Sequence, residues 1–134
     1  MLTNADITLY NHKYNKITRL DEWYRTVIYG VHFYKDNKVS VGENGLNSAD
    51  AYKIRIPEEA DCDKSYIQAD EYAFSDNVSG NWTIQDADII VSGVCDTNIE
   101  KPSDLTENHI SYCKIVSWSD NRFGGLPHWR IGGV

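Results

Sequence analysis

Four histidines, three cysteines and twenty acidic residues are the side chains of this 134-residue chain that could bind a metal, attack a substrate or move protons. Their spacing argues against each chemistry. His12, His32, His109 and His128 form no recognisable metal-ligand pattern. His109 and Cys113 are four residues apart, which on one strand puts them on one face but more than about 10 Å from each other. Asp61-Cys-Asp63-Lys-Ser65 opens like a calcium loop, then places Tyr66 where the sharp turn needs Gly and Tyr72 where a bidentate Glu is needed. Asp86 and Asp88 flank a turn, where Asp side chains bond their own backbone. A glycosidase pair would also need a cleft and a set separation. Gly124-Gly125 and Gly132-Gly133 lack the rest of a phosphate-cradling motif. Cys62, Cys95 and Cys113 make an odd count with no metal spacing and read as reduced, structural thiols. The expectation is a protein without enzymatic activity, cofactor or metal.

What remains is contact chemistry. Trp118, Arg122, Trp129 and Arg130 crowd the last part of the chain, and Trp and Arg are the residue types that anchor protein interfaces. They are expected to form an interface, with a Trp118–Trp129 cross-strand pair inside the fold as the alternative. Trp23, Trp82, Trp118 and Trp129 fall on different predicted strands. They could line up as a sugar-stacking platform of a carbohydrate-binding module, or serve core packing, where large rings dominate burial.

The elements that must position these residues read as strands. Ala5 to Lys13 alternates, with Ile7 and Leu9 on one side and Thr8 and Tyr10 on the other. Glu22 to Tyr34 is dense in β-branched and aromatic residues, and Gly30 in its middle predicts a bulge or bend. Lys35 to Lys38 reads as a hairpin turn, Val39 to Val41 as a short strand, and Gly42 to Ser48 as a loop. Ala51 to Pro57 predicts the cleanest strand, with Tyr52, Ile54 and Ile56 facing one way and Lys53 and Arg55 the other. Glu58 to Lys64 is acidic and irregular, and Tyr66 to Phe74 leans to strand over short helix. Trp82 to Ile84 and Ile89 to Val94 predict strands either side of a turn. Ser103 to Glu107 predicts one helical turn capped by Ser103 or Asp104. Ile110 to Ser119 and His128 to Ile131 predict two strands around the turn-rich Asp120 to Pro127. No sustained 3.6-residue apolar stripe is present. The fold expected is all-β: one domain over residues 1–134, a small barrel or sandwich of about seven to nine short strands with long loops.

The size allows a core without disulfides. No apolar run approaches the roughly 20 residues that span a bilayer, and the opening lacks the pattern of a signal peptide, so no membrane association and synthesis in a cytoplasm are expected. The net charge of −7 hides an uneven distribution. Residues 1–42 balance to +2, residues 43–108 to −11 and residues 109–134 to +2. Opposed electrostatic faces suit contact between unlike surfaces. Neutralising phosphates needs a basic patch, and no Lys/Arg cluster of that sort is present, which disfavours direct DNA binding.

Several stretches carry a resemblance: the opening Met-Leu-Thr-Asn-Ala-Asp-Ile-Thr-Leu-Tyr-Asn, Arg25-Thr-Val-Ile-Tyr-Gly-Val, Leu46 to Pro57, Trp82-Thr-Ile-Gln-Asp-Ala-Asp-Ile-Ile-Val-Ser-Gly, and Ser117-Trp-Ser-Asp-Asn-Arg-Phe-Gly with His128-Trp-Arg-Ile-Gly-Gly. Together they resemble a family of uncharacterised structural proteins of bacteriophages and prophages, similar in size and type to head-closure (stopper) and head–tail connector proteins of the neck. The resemblance implies a virion protein made in the bacterial host cytoplasm. It would assemble with itself into a six- or twelve-fold ring, and contact a portal or adaptor protein and tail proteins. DNA would pass through the channel without specific binding. An acidic loop at Glu58, Glu59, Asp61 and Asp63, or alternatively between Glu43 and Asp50, would face that channel and repel phosphate. Tail completion or a minor capsid role is the alternative within this class.

Overall fold

The computed structural model describes residues 3–42, 45–76 and 79–134, and for residues 36–51 the backbone course alone. Strand β1 (Ala5–Asn15) turns tightly into β2 (Leu20–Gly42), which pairs with β3 (Gly45–Pro57). Short strands β4 (Asp61–Cys62) and β5 (Ser65–Tyr66) follow, then helix α1 (Ala69–Phe74), β6 (Asn81–Trp82) and β7 (Ile89–Ser92). Helix α2 (Ser103–Glu107) leads to the closing pair β8 (Cys113–Asp120) and β9 (His128–Gly133). The fold is all-β with two short helices. Its main sheet has seven strands in the order β1-β7-β8-β9-β3-β2-β4, and β1 also pairs with β2, so the sheet closes on itself. All its pairings are antiparallel.

Closure depends on β2 serving two partners. Residues up to Val31 pair with β1 and residues from His32 onward pair with β3. The change of partner falls at Gly30, where φ is +77° and the β1–β2 register slips between Ala5 and Asp6. A residue with a Cβ is strained at that φ, so glycine fits the expected bulge. Asp6 Oδ1 accepts the Gly30 N–H at 3.0 Å. Beyond the bulge, the Asn4 carboxamide bonds both the N–H and the C=O of Phe33 (2.9 and 3.1 Å), continuing the ladder with a side chain. Strand β8 has the corresponding irregularity between Ile115 and Ser117.

Four expectations are corrected. Lys35 to Lys38 is not a turn, because β2 runs through it paired residue for residue with β3, out to Gly42 opposite Gly45. Turn-forming composition is overridden there by cross-strand pairing. The expected loop at Gly42 to Ser48 is β3 from Gly45 onward, with Glu43 and Asn44 outside the described residues. Tyr66 to Phe74 is not a strand: it divides into the end of β5 and helix α1, whose Tyr72 is buried. α2 spans the expected residues, but Pro102 is its cap position and makes no side-chain cap bond.

The interior holds Ile7, Leu9, Ile28, Ile54, Ile56, Ile90, Ile115, Trp129 and Ile131, the inward halves of the alternating strands, with Ile84 from the loop between β6 and β7. A second cluster lies outside β1 and β7. There the outward residues Tyr10, Ile89 and Val91 are covered by Cys95, Ile99 and Leu105 from the segment that contains α2. Hydrogen bonds fasten this cover: Cys95 N donates to Thr8 Oγ1 (2.8 Å), the Tyr10 hydroxyl to Thr97 O (2.6 Å), and Arg25 Nη1 to Cys95 O (3.1 Å).

Candidate functional site

The outer face of β2, β3, β9 and β8 is uncovered by the described chain. Alternation sends Ile54 and Ile56 inward, so Lys53 and Arg55 point outward. Register then assembles two rows across the four strands. His32 stands opposite Arg55, Arg55 opposite Arg130, and Arg130 opposite Ser119. Tyr34, Lys53, Gly132 and Ser117 form the second row. His32 and Tyr34 meet edge to face at 5.2 Å. A shallow cleft of about 250 Å3 opens over Gly132, lined by Lys53, Ser117, Trp118, Ser119 and Arg130 among others. A Cβ on Gly132 would lie 2.5 Å from Ser117 Oγ, so glycine is what lets the Ser117 side chain sit over the sheet.

The four expected interface residues therefore separate. Trp118, 40% exposed, and Arg130, exposed, line this cleft. Trp129 is 4% exposed and belongs to the interior. It does not pair with Trp118: Asp120 is its cross-strand partner, and Trp118 stands opposite Ile131. Tyr66, Trp82 and Trp129 pack as a tilted triad with centroids 4.8 to 5.2 Å apart. The Arg122 guanidinium lies 5.0 Å from both the Tyr66 and Trp129 ring centres. Asp120 holds it there, accepting from Arg122 Nε and Nη2 at 2.7 to 3.0 Å. Those bonds push the Asp120 carboxyl below its usual range. Arg122 thus caps the core. Sequence reasoning missed Tyr66 in this triad, since Tyr66 reaches it through the parallel pairing of Ser65-Tyr66 with Asn81-Trp82.

The tryptophans do not form a flat sugar platform. Trp82 and Trp129 are buried and lie 71° apart in plane, Trp23 packs against the second cluster, and Trp118 stands alone at the cleft.

Glu58, Glu59, Asp61 and Asp63 are all exposed, just past the end of β3. β1, β3 and β8 run in one direction around the closed sheet, so that end also carries the β1–β2 and β8–β9 turns. These two turns expose Ile17 (93%), Leu20 (68%), Phe123 (93%) and Leu126 (61%).

The most polar buried group is Asp88, fully buried beside the turn in which Ala87 takes a left-handed φ of 69°. It accepts from Asn11 Nδ2 (2.7 Å), the His12 N–H (3.0 Å) and Gln85 Nε2 (3.2 Å), and it pairs with His12 Nδ1. Burial raises the Asp88 pKa against these bonds, and the bond to Asp88 raises that of His12. An oriented Asp–His pair is half of a nucleophilic site. His12 bonds no hydroxyl or thiol among the described residues, and its ring packs 5.5 Å from that of Trp23. The pair pins β1 to the loop before β7. The three cysteines are free thiols, and burial pushes that of Cys113 up to about 11. No group of three or more His, Cys, Asp or Glu among the described residues is arranged to hold a metal. No described helix is long and apolar enough to cross a membrane.

A family model matches residues 2–134, nearly the whole chain. The chain belongs to the family of unknown function DUF6751. No curated protein and no solved structure matches it.

Proposed function

We propose that this protein is a non-enzymatic structural component of a tailed-phage or prophage virion, a head-closure or head–tail connector protein that forms a ring in the neck. The observation that carries the reading is the distribution of surface character around the closed sheet. An arginine-bearing flank faces one way, the flank covered by the α2 segment exposes Asp96, Glu100 and Glu107 on the other, and exposed apolar turns gather at one end. A subunit in a ring needs two unlike flanks for its neighbours and an end for the next layer. The resemblance of the sequence to phage structural proteins supplies the setting. In that setting the exposed carboxylates of Glu58, Glu59, Asp61 and Asp63 keep passing DNA from adhering to the channel wall. Trp118 and Arg130 contact a neighbouring protein.

Quantitative mass spectrometry of purified virions tests the location, with a copy number of six or twelve per particle expected. Trp118→Ala combined with Arg130→Glu in the producing phage is expected to yield tailless heads or free tails. Absence of the protein from particles, or normal particle yield from the variant, would count against the reading.

A further inference from the structure

The row across β3 and β9 sets Arg55 directly opposite Arg130. Like charges at directly opposed positions are unfavourable, by a few tenths to about 1 kcal/mol. Neither guanidinium has an ion-pair partner among the described residues. Arg122 and Arg25, by contrast, each face a carboxylate, at 2.7 and 3.7 Å. The exposed pair of like charges therefore works against the isolated fold, and an anionic partner would turn that cost into affinity.

The chain carries such a partner on its far side. In the cyclic order β1-β7-β8-β9-β3-β2, β9 lies across from β1 and β3 across from β7. The outer face of β1 and β7 is the one covered by the segment around α2. That cover exposes Asp96, Glu100 and Glu107, with Lys101 as its one Lys or Arg. Asp104 is turned to its own backbone, accepting from the N–H groups of Glu100 and Lys101. Asp96 is 94% exposed on its side chain, and its ion pair with Arg25 is long.

We propose that the Arg55–Arg130 face binds the acidic α2 face of a second copy of this chain, head to tail. Opposite flanks make the contact heterologous, so successive copies close into a ring or continue as a filament. Two copies of net charge −7 repel at long range, so what favours a second copy as the occupant is the local match between the arginine row and the exposed carboxylates of Asp96, Glu100 and Glu107. The inference rests on the self-assembly part of the proposed function and not on its location in a virion.

Sedimentation velocity of the full chain over a concentration series, at low and high salt, tests it. Association is expected at low salt and should weaken as salt screens the contact. Arg55→Glu with Arg130→Glu is expected to weaken association at least about tenfold, as is Glu100→Lys with Glu107→Lys. Melting curves of both variants should match wild type, because the substituted side chains are exposed. Mixing the two variants should restore association, since each then meets its opposite charge. A wild-type monomer at every concentration, reversal variants that associate as wild type does, or a mixture that stays monomeric each overturn the proposal. Binding of a fluorescent single-stranded oligonucleotide that Arg55→Glu with Arg130→Glu abolishes, without self-association, would hand the face to nucleic acid and overturn it too. A solution monomer present at ring copy number in virions would sink this contact and leave the virion reading. Self-association of a protein absent from particles would do the reverse.

Discussion

The two opposite flanks of the closed sheet follow one alternation rule and end in opposite states. On β1 and β7 the outward residues include Thr8, Tyr10, Ile89 and Val91, and the chain covers them with its own segment around α2. On β3 and β9 the outward residues are Lys53, Arg55, Arg130 and Gly132, and no described segment crosses them. An outward apolar residue must be covered, whereas an outward arginine can remain in water. The difference makes the first flank a second core and leaves the second open to water.

Substitutions in the two cores test that division most strongly. Trp129→Ala is expected to cost about 3–5 kcal/mol and Leu105→Ala about 2–5 kcal/mol in chemical denaturation. They should differ in reach. Trp129 touches the Tyr66 and Trp82 rings within the main core, so its loss should destabilise the whole fold. Leu105 belongs to the cover, so its loss should raise hydrogen exchange in residues 94–112 before the strands respond. Equal loss of protection throughout from Leu105→Ala would mean that the cover is not a separate layer.

The His12–Asp88 pair gives a pH test. Both pKa values are raised in the fold, so the folded state holds protons more tightly than the unfolded chain. The His12 contribution is fully present below the ordinary histidine value of 6.5 and is lost as pH rises through the raised His12 pKa, whereas that of Asp88 falls away from pH 3.8 upward. Melting temperature should fall across that window, and His12→Gln should flatten the profile. An unchanged slope in the variant would remove His12 as its source.

The smallest expected effect is on the bare flank. Arg55→Ala and Arg130→Ala should each change stability by no more than about 0.5 kcal/mol, and relief of the opposed charges favours a gain. A loss above about 1 kcal/mol for either would show that the flank is held together internally.

Much of the fold was legible because strand alternation is local. Ile7 and Leu9 against Thr8 and Tyr10, and Ile54 and Ile56 against Lys53 and Arg55, sort as their spacing requires. Gly30 is legible for the same reason, since a glycine inside an aromatic β-branched run has few other uses. The arginine row was hidden by averaging. Lys53 and Arg55 lie in the acidic middle of the sequence, and only the pairing of β3 with β9 brings Arg55 beside Arg130. Trp129 lies inside the fold, as the alternative reading allowed, though not paired with Trp118; residue type marks an anchor but does not say which side of the strand it takes. α1 could not be told from a strand, being six residues long with one buried position.

One consequence follows from β2 belonging to both halves of the sheet. The strand that β1 needs up to Val31 is the strand that β3 needs from His32. Neither half can peel away and leave its neighbour intact, so melting is expected to be all-or-none across the kink at Gly30. Any partner would then meet a preformed block, and recognition would carry no penalty for ordering its framework.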